Sequence, residues 1–137
     1  MTAFQLDGLS VFITGASSGV GRAAAYAVSA AGGRVVAVGR RSDALETTLD
    51  SLLGHGHVAI RADVTDHNLI PDLMDKAVSA VGPLHGLVHC AGEHLLSPLR
   101  NHRAERVNAL FDVNVTAAMT LAKAFRSPKI RAESASI

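Results

Sequence analysis

The stretch SVFITGASSGVG, residues 10–21, decides the fold of this chain. Its first four residues are mostly β-branched or aromatic and predict a short buried strand, and the glycines that follow predict a turn. Residues 20–31 are rich in alanine and end at a pair of glycines, which predicts a helix with a defined stop. The apolar run at residues 35–38 predicts a second strand. Strand, helix and strand in this order are typical of a parallel α/β unit.

The same alternation continues along the chain. The next predicted elements are a helix, a strand, a helix and a strand, at about residues 42–53, 58–61, 69–80 and 86–90. Apolar residues then recur near helical spacing, so a long helix is expected over about residues 104–125. Residues 134–137 resemble the start of a fifth strand that is not expected to form, which would leave the fourth strand as an unpaired edge.

The composition indicates one globular domain, residues 1–137. Lys and Arg (13) nearly balance Asp and Glu (12), so neither a nucleic-acid nor a membrane partner is expected. No apolar run approaches the roughly 18–20 residues that span a bilayer. Residues 1–7 lack the features of a signal peptide, and the single cysteine, Cys90, excludes an internal disulfide. A cytoplasmic location is therefore expected.

Three glycines, Gly15, Gly19 and Gly21, separate the first strand from the first helix. Glycine lets the main chain come close to a ligand, and the first N–H groups of the following helix have no intrahelical acceptor and attract an anion. Ser17 and Ser18 add hydroxyl donors beside these groups. We therefore expect the loop to hold the pyrophosphate of a dinucleotide. The alternative is a plain turn, and a P-loop is disfavoured because no Gly-Lys-Ser/Thr follows.

Charge at the end of the second predicted strand bears on which dinucleotide is bound. The adenosine ribose lies at this point of a doubly wound sheet, and an NAD-selective site places a carboxylate there. This chain has Gly39-Arg40-Arg41-Ser42 instead. Guanidinium groups pair with phosphate through charge-assisted and often bidentate hydrogen bonds. Arg40 and Arg41 therefore favour NADP(H) over NAD(H), with a pair of solvated surface arginines as the alternative.

Four motifs resemble those of the short-chain dehydrogenase/reductase family. They are Thr14-Gly15-x-x-x-Gly19-x-Gly21, Asp63-Val64, Pro83-Leu84-His85-Gly86-Leu87-Val88-His89-Cys90-Ala91-Gly92, and Asn114 within Asp112-Val113-Asn114-Val115. The resemblance covers essentially the whole chain and about the first half of a family member. It implies an α/β fold, a Rossmann-type doubly wound parallel sheet of about four strands in the order 3-2-1-4, with flanking helices and the cofactor at the carboxyl ends of the strands.

The resemblance also implies the residues of a cofactor site. Asp63 and Val64 match an adenine-contacting pair, and Asn114 matches the asparagine of the catalytic tetrad, which holds a water and the active-site lysine. The family usually has two asparagines where this chain has His89 and Cys90. The expected cofactor-binding residues are Gly15, Ser17, Ser18, Gly19, Val20, Gly21, Arg40, Arg41, Asp63, Val64, His89, Ala91 and Gly92.

Catalysis in this family uses a tyrosine, a lysine four residues later and a serine, which together interconvert a carbonyl and an alcohol with hydride from the cofactor. The one tyrosine here is Tyr26, with Ala30 four residues on, and Tyr26 is expected to be a packing residue of the first helix. The chain is therefore expected to be a dinucleotide-binding domain that stops before the catalytic half and is inactive alone. By motif, 3-oxoacyl-carrier-protein reductases are the nearest type.

Two non-catalytic functions stay open. One is a module that only binds a dinucleotide, and the other is a relic half-domain that offers its fourth-strand edge to a partner. The helix at about residues 104–125 resembles the one through which family members dimerise, so the resemblance implies a homo-oligomer. No metal is expected, because His55 and His57 lack further ligands at a supportive spacing. Cys90 is expected to be a small core residue near the cofactor, because no base is identifiable beside it.

Overall fold

A computed structural model describes residues 4–137 of the chain. The five strands are β1 (Ser10–Thr14), β2 (Arg34–Gly39), β3 (Val58–Arg61), β4 (Leu84–His89) and β5 (Arg131–Ser136). The α-helices are α1 (Gly19–Ala30), α2 (Ser42–Asp50), α3 (Ile70–Val81), α4 (Ala104–Phe111) and α5 (Ala117–Phe125). The interpretation of residues 1–7 as lacking a signal peptide rests partly on residues 1–3, which lie outside the described residues.

The strands form one parallel sheet in the order β3-β2-β1-β4-β5. The predicted order of the first four strands is confirmed. In the centre, Phe12 of β1 lies beside Val36 of β2 on one side and Leu87 of β4 on the other. Hydrophobic, largely β-branched residues in these strands are buried, because a central parallel strand is covered on both faces.

The expectation that β4 is an unpaired edge is wrong, because β5 forms and pairs with it in parallel. The pairing begins where the Leu84 N–H donates to the carbonyl of Ile130 at 2.8 Å. Ile130 is buried and anchors the start of β5, whereas most of the strand RAESAS is exposed. A strand that is mostly exposed needs no apolar pattern, so its sequence does not reveal it.

Helices cover both faces of the sheet and divide the core in two. On one face α3 and α5 pack on the sheet around Phe12, Leu87 and Leu121. On the other face α1 and α2 pack around Ile13 and Leu45. This two-sided arrangement is the doubly wound architecture that the alternating pattern predicts.

The long helix expected at residues 104–125 forms, but it is not a regular α-helix throughout. A π-helical segment, Asp112–Thr116, joins α4 to α5 without a break. A π-turn inserts extra backbone into a helix and shifts the direction in which the following side chains point. Asn114 lies in this segment.

Tyr26 is not the packing residue that was expected. Its side chain is 48% exposed on α1, while Gly21, Ala25 and Ser29 form the buried face of that helix. The small residues at these positions let α1 lie close to the sheet, and Tyr26 follows Ala25 by one residue and points away from it.

Within residues 4–137, no helix combines the length and the apolar character that a bilayer crossing requires. The same residues contain no group of three or more His, Cys, Asp or Glu side chains placed to hold a metal ion.

Candidate functional site

The glycine loop lies where β1 ends and α1 begins, and two of its glycines are required by close contacts. Gly15 has φ +65°, and a Cβ there would lie 2.6 Å from the backbone nitrogen of Ala91. A Cβ on Gly21 would overlap the carbonyl oxygen of Gly15. The loop is therefore pressed against the segment after β4 on one side and against α1 on the other. Ser18 precedes α1 and makes no side-chain cap hydrogen bond, so the first N–H groups of α1 stay available to a ligand.

Thr14 connects the glycine loop to the segment after β4. Its buried hydroxyl oxygen accepts hydrogen bonds from the N–H groups of Cys90 and Ala91, both at 3.1 Å. The same oxygen is 2.8 Å from Nδ1 of His89. Two accepted N–H groups occupy the oxygen's lone pairs, so the hydroxyl proton is donated to Nδ1. His89 then carries its proton on Nε2, which donates to the carbonyl of Val113 at 3.2 Å.

A cleft of about 800 Å³ opens at the carboxyl ends of the strands. Its volume is in the range of ligand pockets, roughly 300–1,000 Å³. A second cavity, between β3 and α3, measures only about 110 Å³. The predicted residues that line the larger cleft are Gly15, Ser17, Ser18, Gly19, Val20, Gly21, Arg40, Asp63, Val64, Ala91 and Gly92.

Three predicted site residues do not line this cleft. Arg41 is exposed and stands at the N-cap position of α2 without a side-chain capping hydrogen bond, while Arg40 beside it faces the cleft. His89 lies behind the cleft wall, where it joins Thr14 to Val113. Asn114 also lies outside the lining, although Glu93, whose backbone it binds, is part of the lining.

Asn114 fixes the backbone of Glu93. Its Oδ1 accepts from the Glu93 N–H at 3.1 Å, and its Nδ2 donates to the Glu93 carbonyl at 2.8 Å. A Cβ on Gly92 would lie 2.7 Å from Asn114 Oδ1, so this contact also needs a glycine before Glu93. The π-helical segment thereby sets the course of the chain after β4.

Two arginines and two carboxylates supply the charges of the cleft. Glu93 lies 3.6 Å from Arg40 Nη2 and 3.5 Å from Arg106 Nη1. Oδ1 of Asp63 accepts two hydrogen bonds from Thr65, one from the Thr65 N–H at 3.0 Å and one from the Thr65 hydroxyl at 2.7 Å. These two hydrogen bonds, and then the positive charge of Arg40, hold the pKa of Asp63 below its ordinary value, although burial opposes them. Asp63 is therefore ionised at neutral pH.

Cys90 lines the cleft and is half-buried, so it is not the core residue that was expected. Burial raises the pKa of its thiol. The thiol is therefore protonated at neutral pH and is a weak nucleophile, in agreement with the absence of an identifiable base in the sequence.

His57 has a structural role at the turn before β3. Its Nδ1 accepts from the Val35 N–H at 3.1 Å, and its Nε2 lies 2.8 Å from the carbonyl of Leu53. The imidazole thus satisfies backbone groups at the start of β2 and after α2, which agrees with its interpretation as a turn residue.

Several residues of the cleft were not predicted from the sequence. They are Val38, Gly39, Ala62, Thr65, Cys90, Glu93, His94, Arg106, Ala109 and Val113. Glu93 and His94 directly follow the motif at residues 83–92, so their position in the chain could have indicated them. Arg106, Ala109 and Val113 recur at helical spacing and mark one face of the helix beside the cleft.

Comparisons with known proteins agree with this geometry. The family model for short chain dehydrogenases matches residues 10–137. Glycine betaine reductase ATRR of Emericella nidulans is 36% identical over 111 residues, which are 80% of this chain and 9% of that protein. An uncharacterized oxidoreductase of Staphylococcus aureus (strain MRSA252) is 30% identical over 112 residues, 82% of this chain and 48% of that protein. The crystal structure of a short-chain type dehydrogenase/reductase from Mycobacterium marinum matches with a TM-score of 0.82 and 33% identity, covering 89% of this chain and 50% of that chain.

The chain belongs to the short-chain dehydrogenase family. It spans about half of the Staphylococcus and Mycobacterium proteins, and a smaller share of the fungal reductase. Members of this family are oxidoreductases whose fold binds NAD(P), and they act in general on small molecules and often form oligomers. The glycine contacts, the open N-terminus of α1 and the size of the cleft all fit such a dinucleotide.

Proposed function

We propose that this chain is the cofactor-binding part of an NADP(H)-dependent short-chain dehydrogenase/reductase, which interconverts a carbonyl and an alcohol. The observation that supports this most strongly is the cleft itself, which brings the glycine loop, Arg40 and Asp63 together at the carboxyl ends of the strands. A bound cofactor would supply the hydride. The cytoplasmic location expected from the sequence stays a prediction.

The residues of the cleft suggest how the chain would hold the dinucleotide. The N–H groups at the start of α1 would bind the pyrophosphate, because they attract an anion and have no intrahelical acceptor. Asp63 and Val64 would lie at the adenine, as the family motif implies. Arg40 would bind the 2′-phosphate, since it faces the cleft at the end of β2, where the sequence has no carboxylate.

A measurement of cofactor preference tests the choice of NADP(H). Charge-assisted hydrogen bonds contribute about 1.5–3 kcal/mol, and the Arg40 side chain is 66% exposed, so we expect Arg40→Gln to lower the NADPH preference about tenfold. Arg41→Gln is the matched control, because Arg41 is exposed outside the cleft and should change the ratio less. Titration calorimetry with NADPH and NADH gives both dissociation constants. An unchanged ratio in Arg40→Gln would refute the assignment.

The same 137 residues should bind the cofactor without turning it over. They contain no Tyr-x-x-x-Lys, and the one tyrosine, Tyr26, lies exposed on α1, outside the cleft. Asn114 has a backbone-positioning role in this chain. The alternative of a non-catalytic binding module predicts the same result for this chain. The test follows NADPH absorbance with an acetoacetyl thioester, the ketone type that the 3-oxoacyl resemblance suggests, and measurable oxidation would contradict the proposal.

We also infer that the chain associates with itself through the helix formed by α4 and α5. Phe111, Val115 and Met119 recur every four residues along it and are 59%, 48% and 69% exposed. A stripe of large apolar side chains at this spacing is typical of a helix–helix interface. Light scattering should therefore give a mass of twice 14.2 kDa or a higher multiple, and the mass of one chain would contradict the inference.

A further inference from the structure

The carboxylate of Glu93 connects two arginines of the cleft wall. Its Oε1 is 3.6 Å from Arg40 Nη2, and its Oε2 is 3.5 Å from Arg106 Nη1. The Glu93 side chain is 32% exposed, whereas that of Arg40 is 66% exposed. Glu93 is thus the more firmly placed of the pair, and Arg40 is the partner that can move.

This contact crosses the cleft. Arg40 follows β2 and Glu93 follows β4, and β1 lies between these two strands in the sheet. The ion pair therefore passes over the carboxyl end of β1, where the glycine loop begins. One hydrogen bond accepted and one donated by Asn114 hold the Glu93 backbone in place, so the carboxylate cannot easily retreat from Arg40.

We propose that Glu93 is a specificity-determining residue, which competes with the 2′-phosphate of the cofactor for Arg40 and so limits the preference for NADPH over NADH. The proposal rests on the proposed function of the cleft as a dinucleotide site. A 2′-phosphate carries between one and two negative charges near neutral pH, whereas the ribose hydroxyl of NADH carries none, so the Glu93 charge disfavours NADPH selectively.

Arg106 makes this exchange of partners feasible. When Arg40 turns to the phosphate, Glu93 keeps the guanidinium of Arg106 and is not left as an unpaired carboxylate. Asp63 is the other carboxylate near Arg40, but its Oδ1 accepts both hydrogen bonds from Thr65, and the ion pair of Arg40 is formed with Glu93. Glu93 is therefore the competitor whose removal frees Arg40 for the phosphate.

The substitution Glu93→Gln tests the proposal, since glutamine keeps the size of the side chain and removes its charge. Calorimetric titration of the 137-residue chain with NADPH and NADH gives the ratio of the two dissociation constants. We expect the preference for NADPH to rise about twofold to fivefold, the range that exposed ion pairs produce. Glu133→Gln, on β5 at the edge of the sheet, removes the same charge far from Arg40 and should leave the ratio unchanged.

Two further variants test the route through Arg40. Arg106→Gln leaves Glu93 with Arg40 alone, so the preference for NADPH should fall. In an Arg40→Gln background, Glu93→Gln should change the ratio less than it does in the native chain. Circular dichroism shows whether each variant is folded, and the opposite signs of Glu93→Gln and Arg106→Gln keep a general loss of structure distinguishable from the proposed effect.

The outcomes distinguish a failure of the role proposed for Glu93 from a failure of the cleft as a dinucleotide site. A rise in the NADPH preference with Glu93→Gln supports it. An unchanged or lower preference, or equal tightening of NADPH and NADH, overturns it while the cleft remains a dinucleotide site. If neither nucleotide binds the native chain, the proposed function fails and this inference fails with it.

Discussion

Replacing Thr14 with valine removes one hydroxyl group and keeps the shape of a fully buried side chain. That hydroxyl accepts from the N–H groups of Cys90 and Ala91 and donates to His89 Nδ1. Three hydrogen bonds are lost at the point where β1, the glycine loop and the segment after β4 meet. The variant therefore tests whether Thr14 holds the wall of the cleft together.

The expected loss follows from these contacts. At about 1 kcal/mol net for each hydrogen bond, Thr14→Val should lower the free energy of unfolding by about 3 kcal/mol. Cys90 and Ala91 are only half-buried, so water can satisfy their N–H groups in part. The loss in the free energy of unfolding should therefore be at least about 1.5 kcal/mol. The loss should be accompanied by weaker dinucleotide binding, because the same hydrogen bonds hold Ala91 against Gly15.

Urea denaturation at 25 °C measures the effect. With a slope of about 2 kcal/mol per molar urea, a loss of about 3 kcal/mol moves the midpoint by about 1.5 M. Thr47→Val on α2 is the matched control, because its hydroxyl donates one exposed hydrogen bond to the Asp43 carbonyl at 3.0 Å. If Thr14→Val shifts the midpoint no more than Thr47→Val does, the account of Thr14 as the connection between the strands is wrong.

Three further predictions concern the loop, the adenine side and the apolar helix face. Gly21→Ala should lower both stability and NADPH affinity because its methyl overlaps the Gly15 carbonyl; stabilisation by about 0.5–1 kcal/mol, the usual gain from alanine in a helix, would refute this. Asp63 has a lowered pKa, so its ionised form stabilises the fold above about pH 4, and this contribution is lost as the pH falls through the folded-state value. Asp63→Asn should therefore flatten the acid side of the plot of urea midpoint against pH, and Asp75→Asn on the exposed face of α3 is the matched control. Met119→Lys should give the mass of a single chain in light scattering, and an unchanged larger mass would place the interface elsewhere.

Much of the fold could be predicted from local patterns in the sequence. The apolar runs of β1 and β2 and the alanine-rich α1 each carry a strong periodic or compositional signal, and their observed bounds lie within a residue of those predicted. β5 was expected only as the start of a strand at residues 134–137 that would not form, because most of RAESAS is exposed and its stability comes from pairing with β4. The π-helical segment at residues 112–116 was also missed, since hydrophobic spacing does not distinguish it from an α-helix.

Some features of the candidate site could likewise be predicted from the sequence, and others could not. Gly15 and Gly21 could be identified because a turn between strand and helix demands glycine at particular positions. The pairing of Arg40 with Glu93 could not, because the two residues are 53 positions apart and meet only when β2 and β4 flank β1. Likewise, the position of His89 in a motif predicted that it contacts the cofactor. Its imidazole instead lies behind the cleft wall, where it forms hydrogen bonds with Thr14 and with the carbonyl of Val113.

The most direct test of the central claim, that this cleft binds a nicotinamide dinucleotide, is an NMR titration of the ¹⁵N-labelled chain with NADPH. At 14.2 kDa per chain the backbone amides can be followed individually. Binding in the cleft should shift the amides of residues 15–21, of Asp63 and Val64, and of residues 91–93, and should leave those of β5 unaffected. Shifts confined to other surfaces, or none at all, would contradict the claim.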